Sequence, residues 1–263
     1  MQEFKTQNRI GLSIIIPEYN ELRNLERGVL EHIVEYLGIS NFDWELIISD
    51  DGSTDGSYEK SSFIAKRLND PRISVLKNPH GGKAFAINHA IKTANKKWTL
   101  ITDMDQSTPI EEIEKFLPFM DEYKIVIGSR GLKRRSSSVF RRIASVIFSG
   151  TRRLFVPSEI NDTQCGFKLF DTVLLKNIFP KLDALSVNQQ IGWTVTAFDV
   201  ELIYMLEYLD YDIAEVRIHW TNTDESDTKN RDKKFIAESI DMLRQLAKIT
   251  WRRMTGYYKN LLK

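Results

Sequence analysis

Apolar, largely β-branched residues recur along the chain in short unbroken runs: 12–16 (LSIII), 44–49 (WELIIS), 73–77 (ISVLK), 98–102 (WTLIT) and 124–129 (KIVIGS). Their starts lie roughly 25 to 33 residues apart, the length of a strand, a crossover helix and two loops. Between them the apolar period changes to that of a helix, as in Leu22, Leu25, Val29, Ile33 and Leu37, and again in Ala84, Ile87, Ala90 and Ile91. This alternation predicts an α/β fold, a mostly parallel central sheet flanked by helices on both faces. The rhythm breaks after Gly131, in a basic, serine-rich stretch (Lys133, Arg134, Arg135, Ser136, Ser137, Ser138, Arg141, Arg142, Arg152, Arg153) that predicts loops and an amphipathic helix. A further strand-like run, 213–220, precedes a polar loop over 221–231. A helical stripe then follows through Ile236, Ile240, Leu243, Ala247, Trp251 and Met254. These patterns divide the chain into a catalytic-sized domain over 1–230 and a basic amphipathic helical extension over 231–263.

Every predicted strand of the first half ends in polar or turn-forming residues: Pro17-Glu18-Tyr19-Asn20-Glu21, Asp50-Asp51-Gly52-Ser53-Thr54-Asp55-Gly56, Asn78-Pro79-His80-Gly81-Gly82-Lys83 and Asp103-Met104-Asp105-Gln106. Ligands of open parallel sheets lie beyond the carboxyl ends of the strands, where these four loops meet. Two carboxylates one residue apart, Asp103 and Asp105, need a counter-charge if they are desolvated, and a hard divalent cation shared with a diphosphate supplies one; a solvated acidic turn is the alternative. Asp55 is available as a helix cap, while one carboxylate of Asp50 and Asp51 is placed to accept from a base or ribose. Lys83, after two glycines at a helix start, offers charge and backbone amides to a phosphate, although Gly81-Gly82-Lys83 lacks the spacing of a P-loop.

Composition narrows the partners. Thirty-seven Lys and Arg against thirty-six Asp and Glu leave a net charge of +1, which gives no global field for nucleic acid. The single cysteine, Cys165, excludes an internal disulfide and is expected as a small half-buried side chain. The first residues lack the apolar stretch of a signal peptide, and no run approaches the ~18 apolar residues of a spanning helix. The expected location is cytoplasmic, with the option of peripheral attachment to the cytoplasmic face of a membrane.

Ser13-Ile14-Ile15-Ile16-Pro17-Glu18-Tyr19-Asn20-Glu21, then Asp50-Asp51-Gly52-Ser53-Thr54-Asp55-Gly56, Asp103-Met104-Asp105 and Gly128-Ser129-Arg130, in this order, resemble the family 2 glycosyltransferases of the GT-A fold. Asp162-Thr163-Gln164-Cys165-Gly166-Phe167-Lys168-Leu169-Phe170, with Phe198-Asp199-Val200-Glu201 and Glu215-Val216 before Trp220, is similar to their dolichyl-phosphate glucosyltransferase and dolichol-phosphate mannosyltransferase branch. The resemblance covers roughly residues 10–230. It implies a single Rossmann-like GT-A domain and a nucleotide-sugar donor of the UDP-glucose or GDP-mannose type. The donor would be bound by Pro17, Tyr19, Glu21, Asp50, Asp51, Lys83, Asp103 and Met104, with Asp103 and Asp105 holding Mg2+ or Mn2+. It implies a polyprenyl phosphate acceptor held by Arg130, Arg141 and Arg142, with catalysis falling to Asp105, Arg130 and Asp162. Transfer to a hydroxyl would instead need a carboxylate base, for which Asp162, Asp199 and Glu201 are the candidates. A nucleotide-sugar-binding module without catalysis is the third reading.

Three departures from that branch stand out. A terminal transmembrane anchor is absent from the sequence, and 229–263 instead carry ten Lys or Arg against three Asp or Glu. That segment suits an anionic membrane surface or packing on the domain. The loop after Trp220 reads Asp224-Glu225-Ser226-Asp227-Thr228-Lys229 where the family has Gly-Ser-Lys, and His89 stands where relatives carry glycine.

Overall fold

A computed structural model describes residues 9–131, 160–185, 198–221 and 244–261. The basic stretch with Arg141 and Arg142, the loop from 222 and the stripe positions Ile236, Ile240 and Leu243 lie outside the described residues.

The elements are β1 (Ile10–Glu18), α1 (Leu22–Glu26), α2 (Val29–Ile39), β2 (Phe42–Asp50), α3 (Ser57–Leu68), β3 (Ile73–Lys77), α4 (Lys83–Thr93), β4 (Trp98–Ile101) and a 3-10 helix (Ile110–Phe119). They continue with β5 (Ile125–Ser129), β6 (Lys168–Asp171), α5 (Thr172–Ile178), α6 (Phe198–Tyr208), β7 (Ala214–Arg217), α7 over 244–254 and α8 (Tyr257–Leu261). The seven strands form one sheet in the order β3-β2-β1-β4-β6-β5-β7.

Successive side chains of a strand point to opposite faces, and here both faces are covered, which is why the strands read as continuous apolar runs. Leu12, Ile14, Ile16, Leu46, Ile48, Leu100, Val126 and Leu169 pack with Leu30, Ile33, Ile64, Ile113 and Phe116 on one side. Ile15, Ile47, Ile101, Ile125, Ile127 and Phe170 pack with Ala84, Ile87, Leu175, Ile203 and Leu246 on the other.

The expected parallel sheet is present except at β6, which is antiparallel to both β4 and β5 and lies between them. The sequence reading had no strand there, because KLFD is too short to show a period. In this position β6 sets Lys168 opposite both Ile101 and Ile127. The residues just before it, Cys165 and Gly166, therefore run beside the exits of β4 and β5.

Of the C-terminal stripe, Ala247, Trp251 and Met254 are among the described residues, and all three are exposed. Leu246, Ile249 and Tyr258 are the buried residues of α7 and α8, whereas Trp251 and Met254 are 67% and 79% exposed. Polar bonds fasten the inner face. Tyr258 donates to Glu201 Oε1 at 2.8 Å, Arg252 pairs with Asp183 and stands 3.5 Å from Glu201, and Lys248 reaches the other oxygen of Asp183. Among the described residues no helix is long and apolar enough to cross a membrane.

Candidate active site

The first two strand-end loops are stitched to each other. The amide of Asn20 donates to Ser53 Oγ, that of Glu21 to Ser57 Oγ and that of Leu22 to Asp55 Oδ2, while Thr54 N donates to Asn20 Oδ1. Asp55 also accepts from Ser57 N at the start of α3, so its expected capping role holds in substance, with Gly56 at the cap position itself.

The acidic pair before this turn is bonded to loop amides. Asp50 is wholly buried and accepts from Gly52 N at 3.0 Å and Ser53 N at 3.2 Å. Asp51 is 1% exposed and accepts from Gly81 N and Gly82 N, both at 2.8 Å, and from His80 Nδ1 at 2.9 Å. The physical reason is that buried loop amides require acceptors, and these carboxylates are the ones at hand. The same bonds take up the Gly81 and Gly82 amides proposed for a phosphate. The loops lie so close that a Cβ on Gly52, at φ +73°, would stand 2.8 Å from His80 N.

His80 has no role in the sequence reading, yet its ring stacks on Tyr19 with centroids 4.5 Å apart and planes 18° from parallel. The aromatic floor beside half-buried Pro17 is therefore a Tyr-His pair whose histidine is oriented by Asp51. A histidine within a Gly-rich loop is the signal that could have found it.

At the end of β4 the chain does not continue extended. It turns, with Gln106 at φ 48° donating its amide to Asp103 O. Met104 is thereby driven into the apolar cluster at 1% exposure, so its side chain is core and only its backbone can meet a donor. Asp105 accepts from Ser107 N at 2.8 Å and Ser107 Oγ at 2.9 Å. Asp103 Oδ1 accepts from Lys83 Nζ at 2.5 Å, and its Oδ2 lies over Gly166, where an added Cβ would be 2.0 Å away. Desolvation opposes ionisation of Asp103, but the charge and hydrogen bond of Lys83, with Lys168 and Arg130 behind it, hold its carboxyl below the usual range. Burial pushes Glu21 up to about 7, and Asp105 and Asp103 add to the rise while the bond from Asn24 opposes it.

Arg130 donates from Nε and from a terminal nitrogen to the two oxygens of Asp162, each at 2.7 Å, a bidentate fork reinforced by its own backbone amide at 3.0 Å. Asp162 and its neighbour are held in turn by Glu215 on β7, which accepts from Asp162 N at 2.9 Å and from Asn161 N at 3.0 Å. Trp220 lies 5.8 Å from the Arg130 guanidinium carbon. Nearby, Lys168 is 2% exposed and donates to Asp199 Oδ1 at 2.5 Å and to the carbonyl of Cys165. Cys165 is fully buried rather than half-buried, because the chain before β6 packs it into the core, and burial pushes its thiol up. The two hydroxyl-base candidates on α6 are thus occupied: Asp199 by Lys168, and Glu201, 3% exposed, by Tyr258 and the Asp183 amide.

Two carboxylates at Asp103 and Asp105, with Glu21 near both, suit a small oxygen-seeking cation that completes its shell with substrate phosphate and water. Among the described residues no group of three His, Cys, Asp or Glu forms a closed metal cage.

The sheet order and the strand-end crevice are those of the GT-A fold. The chain aligns with the crystal structure of glucosyl-3-phosphoglycerate synthase from Mycobacterium tuberculosis in complex with Mn2+, UDP and phosphoglyceric acid. The TM-score is 0.65 with 18% identity, over 92% of this chain and 79% of that one. Residues 13–179 match Glycosyl transferase family 2, and the chain belongs to that family as a glycosyltransferase. It is 30% identical to the dolichyl-phosphate beta-glucosyltransferase of Dictyostelium discoideum over 96% of this chain and 77% of that one. To the enzyme of that name from Saccharomyces cerevisiae it is 28% identical, over 99% and 80%.

Proposed function

We propose that the protein is a metal-dependent, inverting glycosyltransferase that moves glucose from UDP-glucose onto a polyprenyl phosphate at the cytoplasmic face of a membrane. The observation that carries this reading is the likeness to dolichyl-phosphate beta-glucosyltransferases over nearly the whole chain. The Arg130–Asp162 fork beside Asp103 supports it. In this reading Pro17, Tyr19 and Glu21 line the donor pocket and Asp50 and Asp51 build its walls. Asp103 and Asp105 hold the Mg2+ or Mn2+, and Lys83 answers the diphosphate. A bound divalent cation supplies neutralisation of the departing nucleoside diphosphate.

A phosphate acceptor arrives already anionic, so its attack needs cationic positioning rather than a strong base. Arg130, fixed by Asp162, is the described residue placed for that work, with Arg141 and Arg142 as its proposed partners. Transfer to a hydroxyl is disfavoured because Asp162, Asp199 and Glu201 are each engaged. Incubation with labelled UDP-glucose, Mn2+ and dolichyl or undecaprenyl phosphate should yield a labelled, acid-labile lipid. Its absence, while the donor is turned over on another acceptor, would reject the lipid reading.

Residues 1–230 form the catalytic domain in this proposal, and 231–263 bring it to the bilayer. Trp251 and Met254 project from a helix whose other face is bonded to the domain, with Arg244, Arg253 and Lys259 exposed around them. Such a face suits the interface of an anionic bilayer. Replacing Trp251 and Met254 together by Asp should abolish sedimentation with phosphatidylserine vesicles and leave the melting temperature unchanged. Equal sedimentation of the two proteins would refute the assignment.

A further inference from the structure

Lys83 is the first residue of α4, and the backbone before it is fixed by the Gly81 and Gly82 bonds to Asp51. Its long side chain is the movable part. The ammonium lies 2.5 Å from Asp103 Oδ1, with both side chains 41% exposed. It also feels the charges of Asp199 and Asp105. The second oxygen of Asp103 lies against Gly166, which leaves the carboxylate only its exposed side to move toward. An ammonium hydrogen-bonded to a carboxylate oxygen and a divalent ion ligated at ~2.1 Å by that oxygen compete for the same lone pairs.

We propose that Lys83 is a resident counter-ion of Asp103 that a divalent cation displaces, and that the displaced ammonium is taken up by the donor diphosphate, so that metal and nucleotide bind synergistically. This rests on the reading of Asp103 as the metal site. Without diphosphate, an incoming cation must displace the Lys83 ammonium from Asp103, while Lys168 and Arg130, although paired with Asp199 and Asp162, still add positive charge near that carboxylate. With diphosphate present, the released ammonium gains an anionic partner and the charge of the cation is answered. The coupling is reciprocal: UDP strengthens metal binding by the same factor as metal strengthens UDP binding. Lys83 therefore couples the two binding events.

Mn2+ titrations followed by the EPR signal of the free ion, with and without UDP, test this on the full-length chain. Lys83→Gln should bind Mn2+ alone about tenfold more tightly than the wild type, and its UDP enhancement should shrink by a similar factor. Lys83→Arg, which keeps the charge, should follow the wild type. Lys83→Met repeats the measurement with the alkyl stem intact should Gln disturb α4. Unchanged or weakened Mn2+ affinity in Lys83→Gln and Lys83→Met would overturn the proposal while leaving the metal site standing. Absence of Mn2+ binding in every variant even with UDP, or unaltered binding in Asp103→Asn, would overturn both. Full UDP affinity of the wild type in EDTA would also overturn it, since the lysine would then replace the metal rather than yield to it.

Discussion

Gly166→Ala is expected to lower glycosyl transfer by at least about 100-fold, about 2.7 kcal/mol of transition-state stabilisation, with little change in melting temperature. Gly166 does not have a positive φ, so alanine is conformationally acceptable there. The harm comes from its Cβ, which would lie 2.0 Å from Asp103 Oδ2 and 2.7 Å from its Cγ. Asp103 is partly exposed, and its carboxylate can swing outward to relieve the clash. The protein then keeps its core and loses the geometry of the proposed metal ligand. Gly128 offers the contrast. A Cβ there would meet Ile218 Cδ1 at 2.7 Å and Cys165 Sγ at 3.1 Å, both in the core, so Gly128→Ala should lower stability first. Steady-state kinetics and thermal melts of the two variants separate these outcomes. Wild-type turnover in Gly166→Ala would show that Asp103 has room to work in another position.

Glu18→Gln is expected to stabilise the protein, and by more as pH rises. Glu18 follows Leu12, Ile14 and Ile16 on one face of β1, so its side chain enters the packing with them and is 1% exposed. Neither carboxyl oxygen has a well-formed hydrogen bond, and the neighbouring Ser61 hydroxyl, which donates to Tyr58 O at 3.2 Å, only partly offsets the burial. Burial, followed by the charges of Asp50, Glu21 and Asp55, pushes this carboxyl up to about 8. Between its unfolded value of 4.5 and about 8 the folded protein holds a proton that the unfolded chain has released. Stability therefore falls as pH rises through this window and levels off above it. The glutamine amide has no charge to desolvate and escapes the penalty. The advantage of Glu18→Gln should be small at pH 4.5 and reach on the order of 3 kcal/mol at pH 8.5. That corresponds to roughly 6–12 °C in melting temperature for a domain of this size. Parallel slopes of melting temperature against pH for the two proteins would contradict this account of Glu18.

The acidic loops show how differently legible the parts of the site are. That Asp50, Asp51, Asp103 and Asp105 follow strands is visible in the order of apolar runs and polar ends. The direction each carboxylate takes is not, because it depends on which amides of another loop come within reach. Asp51 turns to Gly81 and Gly82, thirty residues away, and Asp103 to Lys83. The C-terminal helix makes the same point. Its helical period is plain, but the choice of buried face was made by Glu201 and Asp183, which bind Tyr258, Arg252 and Lys248 from the domain side.

An α/β chain with buried strands and polar strand ends is legible in the apolar runs alone, because a sheet covered on both faces requires uninterrupted apolar runs and its loops require polar residues. Its ordered motifs were enough to indicate the family. That Lys168 to Asp171 form an antiparallel strand between β4 and β5 follows from long-range pairing in the folded chain. That insertion brings Gly166 against Asp103, while Asp162 meets Arg130 from across 32 residues of chain. Pairing between strands so distant in sequence leaves no periodic trace in a four-residue segment. The acidic pair at Asp103 and Asp105 was legible as residues, and its surroundings of Lys83, Gly166 and Ser107 emerged only when the sheet closed around it.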